Sequence, residues 1–452
     1  MSGSAEELLG LLDRLVAQAR AGEGLEAYAV DETETTVTAH GGEVESLSSA
    51  RTRGVGVRII DGGRVGYAWT ADLSEAALAE TLAAARENAT VGTPDDANRL
   101  ADPGAVVPLE GLYDPAFAAT APGDKVDLAL RLEAAARAAD PRVAGVDTAR
   151  YGDGDATVAI ASTAGIRDAY RRCDAYVLVE VLAEADGATT SAYGLDLARV
   201  PTALDVEAAA AEAAERALRL LGGRKPPSGR LPIVMDPFAA ASLLGVVAGA
   251  LSAEAVQKGR SLFAGKVGER VGSEAVTLVD DGRLEGGPAS RPFDGEGTPS
   301  GRTTLIADGV LQGWLHNVYT ATKDGTRSTG NASRAGYASP PSVAPTNLFL
   351  APGARDQAAL IAQAGDGFYC QQVLGVHSGA NPISGDFSVG AAGVMIRGGE
   401  LAEPVREATI AGTIPEILDG LVAVGSDLRF LPFGGGMGGA SLLIDGMTLA
   451  GA

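Results

Sequence analysis

Residues 222–230 read Gly-Gly-Arg-Lys-Pro-Pro-Ser-Gly-Arg, a double-glycine helix stop followed by a proline pair, and they split the 452-residue chain into two parts of different character. On the N-terminal side the pattern helix, meander, helix occurs twice. A first helix carries a Ser4/Glu7 capping box and a stripe of Leu8, Leu11, Leu12 and Leu15. Alternating runs follow at 26–31, 34–39, 54–60 and 65–69, and then a helix over 74–90 with Asp72 and Glu75 at its start. A long connection rich in Pro, Asp and Gly spans 92–122. The second round opens with a helix over 124–139, stopped by Pro141. It continues through strands near 143–151, 156–162, 166–172, 174–184 and 188–194, and ends in a helix over 205–221.

Beyond the boundary, a strand at 231–235 and an apolar helix near 237–252 lead into a glycine-rich region. Its turn pairs Asp308-Gly309, Gly398-Gly399 and Asp445-Gly446 each lie between apolar runs, the pattern of a mostly antiparallel β domain, barrel- or sandwich-like. The expected class is therefore α+β. Its units would be an N-terminal α/β unit over 1–105, a central α/β unit over 106–224 packed with it, and a β-rich domain over 225–452.

A formal charge of −22 repels phosphate backbones, so nucleic acid is not expected as a partner. No apolar run reaches the ~20 residues of a membrane helix. The first residues lack the basic start of a secretory signal, so a cytoplasmic location is expected. Cys173 and Cys370 stand far apart with no Cys-x-x-Cys pattern and read as reduced core thiols.

Chemistry-bearing motifs are sparse. His40, His316 and His377 are the three histidines, and none lies within helical spacing of another, so no His-Glu-x-x-His can be written. A metal site would have to be assembled from distant His316, His377 and carboxylates; structural histidines are the plainer reading. Gly434, Gly436 and Gly439 spell Gly-x-Gly-x-x-Gly, but the residues that follow alternate like a β-hairpin, which suits a turn of close backbone approach better than a nucleotide loop. A Ser/His/Asp set can be drawn around His377, Ser378, Ser384 and Asp386; a polar loop satisfying its own backbone fits the same residues.

Two blocks carry a resemblance. Residues 293–332 hold Phe-Asp-Gly-Glu-Gly, then Thr-Leu-Ile-Ala-Asp-Gly-Val-Leu and Lys-Asp-Gly-Thr-Arg-Ser-Thr-Gly-Asn-Ala. Residues 375–414 hold Asn-Pro-Ile-Ser-Gly-Asp-Phe-Ser-Val-Gly-Ala-Ala-Gly and Pro-Val-Arg-Glu-Ala-Thr-Ile-Ala-Gly. Together they resemble the TldD/PmbA family, historically called modulators of DNA gyrase. That family has a TldD type, whose His-Glu-x-x-x-His helix and distant cysteine bind zinc, and a PmbA (TldE) type that lacks them.

Anchored on Gly259-Arg260-Ser261, the motif would fall on Leu244 to Gly249. Leu244 and Gly249 then replace the histidines, and Gly245 replaces the glutamate base. Residues 431–439, where the cysteine would be expected, contain none. Gly245 and Gly249 also form a Gly-x-x-x-Gly spacing suited to close packing.

The resemblance implies a non-catalytic subunit that carries no cofactor of its own. It would work with a zinc-bearing TldD-type metallopeptidase subunit on peptide substrates, and a homodimer stays open when that partner is absent. His316, His377, Asn381, Ser384 and Asp386 are the candidates for lining a shared chamber. Two other readings stand beside it: a self-sufficient hydrolase built around His316, His377 and Asp386, and a binding or regulatory protein of the gyrase-modulator kind.

Overall fold

The computed structural model describes residues 3–431 and 435–451, so Gly434 and the Ser4 side chain, with the capping box assigned to it, lie outside the described residues. Six long antiparallel strands build the first sheet: β1 (Gly24–His40), β2 (Glu43–Asp61), β3 (Arg64–Thr70), β4 (Val143–Ser162), β5 (Arg167–Ala185) and β6 (Ala188–Ala198). Their order is β3-β2-β1-β4-β5-β6, so both rounds of the N-terminal pattern share one sheet.

Side-chain alternation divides its faces. Leu25, Ala27 and Ala29 of β1 pack with Leu8, Leu12 and Leu82 from helices Gly3–Val16 and Glu75–Val91. Val37 and Ala39 pack with Leu132 and Ala213 from helices Pro122–Ala138 and Val206–Arg219. On the opposite face Tyr28 and Val30 meet Phe293 and Val318 of the C-terminal half.

Several local expectations change. The runs 26–31 and 34–39 are one strand, as are 143–151 with 156–162 and 166–172 with 174–184. Ser74, not Asp72, caps the helix Glu75–Val91: its hydroxyl accepts the Ala77 N–H at 3.3 Å, while Asp72 accepts from Ser74 N–H one step earlier.

The C-terminal half contains a closed barrel. β7 (Gly229–Met235), β8 (Gly367–Leu374), β9 (Asp386–Arg397), β10 (Glu400–Thr413) and β11 (Leu442–Gly451) run in the order β10-β9-β8-β7-β11, and β10 pairs with β11 to close the ring. Only β7 and β8 are parallel. Gly398-Gly399 is the hairpin turn between β9 and β10, and Asp308-Gly309 turns between Arg302–Ala307 and Val310–Leu311.

Asp445-Gly446 is not a turn. It sits inside β11, where pairing with β7 jumps from Ile444↔Ile233 to Met447↔Leu231. Gly446 takes φ +72° there, a conformation that favours glycine. The bulge re-aims the strand: before it β11 lies beside Leu421–Val424, and after it beside β10. What reads as a hairpin in sequence is therefore one bent strand that closes a barrel.

A second sheet contains Leu278–Asp281, Arg302–Ala307, Leu348–Leu350 and Met437–Gly439. The helix Pro237–Ala250 packs in the core between this sheet and the barrel. Among the described residues no helix is long and apolar enough to cross a membrane.

Candidate functional site

The helix Pro237–Ala250 begins with strong local signals. Asp236 caps it by accepting the Phe238 N–H at 3.0 Å, and Pro237 fills the first helical position. The capping carboxylate is itself held, by Arg216 at 2.7 Å and the Tyr369 hydroxyl at 2.7 Å. The helix is apolar nearly all round because it is buried nearly all round. The exceptions are the exposed Gly245 and Gly249, which with Ala248, and with Ser252 just beyond the helix, floor a cleft of about 510 Å³. Lys258, Arg260, Ser333 and Pro345 also line it.

A second cavity of about 590 Å³ lies against the open face of the first sheet, and the two share Ser333, Pro345 and Gly435 in their linings. Its floor is polar: Glu32 and Glu34 from β1, Arg172 and Asp174 from β5. Burial, then the Glu34 charge, pushes the Glu32 carboxyl above its ordinary range.

Buried ion pairs hold the sheet to the C-terminal half. Arg58 of β2 donates to Glu26 at 2.7 Å and to Glu296 at 2.8 Å, and Arg334 donates to Glu26 and, at 2.7 Å, to the Gly295 carbonyl. Burial works against the charge on Arg58, but Glu26 and Glu296 more than offset it and keep the guanidinium protonated. The Phe-Asp-Gly-Glu-Gly block thus has a structural task. Phe293 enters the core against the sheet, Glu296 receives Arg58, and Asp294 accepts the N–H groups of Glu296, Thr298 and Ala332, each at 2.9 Å.

Burial first and Glu296 second push the Asp294 carboxyl up to about 7, against the pull of Arg291 and of the N–H donors. A carboxyl raised in the fold stabilises below its unfolded value, ordinarily 3.8, and that contribution is lost as pH rises through the folded value. Unfolding free energy is therefore expected to fall between about pH 4 and pH 7 by more in the wild type than in Asp294→Asn. Denaturant titrations of both proteins across that range check it; equal slopes would refute the role of Asp294.

The structure separates the residues that sequence alone groups together. Asn381, Ser384 and Asp386 share one turn: Asn381 Oδ1 accepts the Ile383 N–H at 2.9 Å, and the Ser384 hydroxyl donates to Asp386 at 2.6 Å. His377 is exposed on the preceding short helix Val376–Gly379. The turn touches the cleft-flooring helix, since a Cβ at Gly249 would meet Pro382 at 3.4 Å.

His316 is buried in a different polar knot. Its N–H donates to Thr329 Oγ1 at 2.8 Å, its carbonyl accepts from Ser328 at 3.1 Å, and burial holds the imidazole below its ordinary value. Leu244 points into the core, 1% exposed, and Gly245 and Gly249 present no side chain to the cleft. Among the described residues no group of three or more His, Cys, Asp or Glu is placed to hold a metal, so the residues present do not fit a zinc centre.

Sequence reading missed Lys258, Arg260, Arg172 and the Glu26–Arg58–Glu296–Arg334 cluster. Only Glu296 had a signal, its place in the distinctive Phe-Asp-Gly-Glu-Gly block.

A long-stranded sheet is clamped by buried ion pairs onto a C-terminal half built around a closed barrel, and the helix that floors the cleft offers no metal ligands among the described residues. Three models of the PmbA/TldA metallopeptidase match in succession: domain 1 over residues 25–89, the central domain over 116–221 and the C-terminal domain over 228–451. The chain belongs to the PmbA/TldD family.

It is 28% identical over 411 residues to Metalloprotease PmbA of Escherichia coli O157:H7, covering 90% of this chain and 88% of that one. It is 30% identical over 430 residues to a Metalloprotease TldD homolog of Haemophilus influenzae, covering 88% and 87%. Among solved structures, a candidate modulator of a DNA gyrase from Thermotoga maritima superposes with a TM-score of 0.90 at 30% identity, over 98% of this chain and 100% of that one. TldE from Thermococcus kodakarensis shares the fold with a TM-score of 0.87 at 23% identity, over 99% and 100%.

Proposed function

We propose that the chain is the non-catalytic, PmbA-type subunit of a two-subunit zinc metallopeptidase, acting in the cytoplasm on extended peptides. In this reading a TldD-type partner supplies zinc, the general base and the cysteine ligand. This chain shapes the chamber: the unit 225–452 carries the glycine-floored cleft, and units 1–105 and 106–224 wall it with the polar sheet face. One observation carries the reading. The helix positions that would bear two ligands and a base hold a leucine turned into the core and two glycines facing the cleft. A glycine floor offers room for an extended backbone and no group to activate water.

The test is to purify the chain, measure its zinc, and assay peptide hydrolysis alone and mixed with a homologue that keeps His-Glu-x-x-x-His. The expected result is far less than one zinc per chain, no hydrolysis alone, and activity gained on mixing. One zinc per chain, lost on mutating His377 or His316, would instead favour a self-sufficient hydrolase. A homologue fully active alone that never co-purifies with this chain would remove the partner role.

A second arm addresses the turn beside Gly249. Asp386 is exposed and, among the described residues, its side chain bonds only with Ser384, so Asp386→Asn should change stability by no more than about 0.5 kcal/mol. Activity of the mixed pair should nevertheless fall if the turn borders the chamber.

A further inference from the structure

The floor of the cavity against the first sheet is laid out in three lanes. Strand register sets Glu32, Ala156 and Arg172 side by side across β1, β4 and β5, and Glu34, Gly154 and Asp174 in the next row. The middle lane is nearly empty: a Cβ at Gly154 would meet nothing nearer than Asp174 Oδ2 at 3.9 Å. With strands ~4.8 Å apart, Glu34 and Asp174 face each other over Gly154 across about 10 Å. The lanes thus enclose an open bay.

Its two ends differ. Toward the clamped side the bay runs onto Val30, Val158 and the Tyr170 ring. Toward the other, Tyr176 lies over Gly152, where a Cβ would come within 2.4 Å of its ring, and shuts the lane.

Charge around the bay is unbalanced. Arg172 donates to Asp174 at 2.8 Å and to the Pro288 carbonyl at 2.9 Å, and Arg150 bonds to the Tyr176 hydroxyl. Half-buried Glu32 and exposed Glu34 form no hydrogen bond or ion pair among the described residues. The carboxylates of Glu32, Glu34 and Asp174 therefore meet the guanidiniums of Arg150 and Arg172, one positive charge short. The other arginines lining the cavity are engaged elsewhere, Arg334 with Glu26 and Arg291 with the Ala332 carbonyl at 3.0 Å. Burial and the Glu34 charge push the Glu32 carboxyl up, and a cation in the bay would offset both.

We propose that this bay takes the lysine or arginine side chain of a peptide lying in the adjoining cleft, its aliphatic stem against Val30 and Val158 and its charged head at Glu32 and Glu34. The assignment rests on the reading of the chain as one that holds extended peptides, and it names which peptides: those with a basic residue. An acidic side chain would find the arginines already engaged, and an apolar one would bury Glu32 further without a partner. A lysine or arginine satisfies both parts of the bay, since its stem is apolar and its head is not.

Calorimetric titration of the purified chain alone tests it, with a capped alanine–glycine peptide carrying one central lysine and a twin carrying glutamine there. The lysine peptide is expected to bind at least about tenfold more tightly at low salt. In a Glu32→Gln, Glu34→Gln protein the two peptides should bind alike. Gly154→Leu fills the bay at a strand position where the first side-chain atom meets no backbone, and should also abolish the preference while the melting temperature stays unchanged. Equal affinities in the wild type, a preference that survives the paired glutamine substitutions, or no binding of either peptide would each overturn the proposal. A lysine preference in binding, without hydrolysis after mixing with the zinc-bearing homologue, would count against the two-subunit reading and leave the bay assigned.

Discussion

Arg58→Met is expected to lower the unfolding free energy by about 3–5 kcal/mol, because it strands buried carboxylates that the fold has already desolvated. Arg58 is 7% exposed and bridges Glu26 of the sheet to Glu296 of the C-terminal half. Without it Glu26 keeps Arg334, and among the described residues Glu296 keeps only the Val318 N–H at 2.8 Å. Glu296 is 0% exposed, so water cannot take over. Arg131→Met is the control: it removes an equally close pair, with Glu207, whose partners are both well exposed, and should leave the denaturation midpoint where it is. A loss below about 1 kcal/mol for Arg58→Met would mean that the cluster does not clamp the two halves.

The second large effect is expected at Gly439, where Ala should cost about 3 kcal/mol or more. A Cβ there would lie 1.8 Å from the Pro237 carbonyl oxygen and 2.8 Å from the Ala241 nitrogen. Both are backbone atoms at the start of the cleft-flooring helix, so no side chain can swing aside. Either the strand Met437–Gly439 or the helix must move, and both belong to the same core. Gly10→Ala is the opposite case: it lies inside a helix with nothing within 4 Å of its Cβ position, and should raise stability by ~0.5–1 kcal/mol. A Gly439→Ala protein that melts like the wild type would show that the close contact is not structural.

Helix existence was legible, as for Val206–Arg219 and Glu75–Val91, but the cap of the second was misplaced: its start reads from Asp72 and Glu75 in sequence, whereas Ser74 caps it. The α+β class and the barrel-like C-terminal half were legible in the spacing of Gly and Asp turns. Strand lengths were not, and the errors share a cause. β1 reads as broken at Glu32, β4 at Gly152-Asp153-Gly154, and β5 at Cys173 between Arg172 and Asp174. All of these except the buried Cys173 line the polar cavity. A strand that carries charge toward a cavity, as β1 does at Glu32 and β5 at Arg172 and Asp174, loses its apolar alternation at that point, so a reading by periodicity ends it there; β4 is interrupted instead by Asp153, buried against Lys125.

The Asp445-Gly446 bulge failed for the opposite reason, since a turn dipeptide can bend a strand without reversing it. Of the candidate site, His316, His377, Asn381, Ser384 and Asp386 line neither of the two cavities; Gly245 and Gly249, singled out as motif positions, face the cleft, and its walls come from segments with no local signature.

The barrel's ring joins β7 to β11, segments about two hundred residues apart in the chain. During synthesis the six-stranded sheet can assemble as soon as β6 has left the ribosome. β7 then waits through some two hundred further residues for the antiparallel neighbour that shuts the ring. In that interval its apolar residues Ile233, Val234 and Met235, all fully buried at the end, have no finished core to enter. Non-local closure of this kind is slow and leaves aggregation-prone intermediates. The nascent C-terminal half is therefore the part of this protein most in need of a holding chaperone.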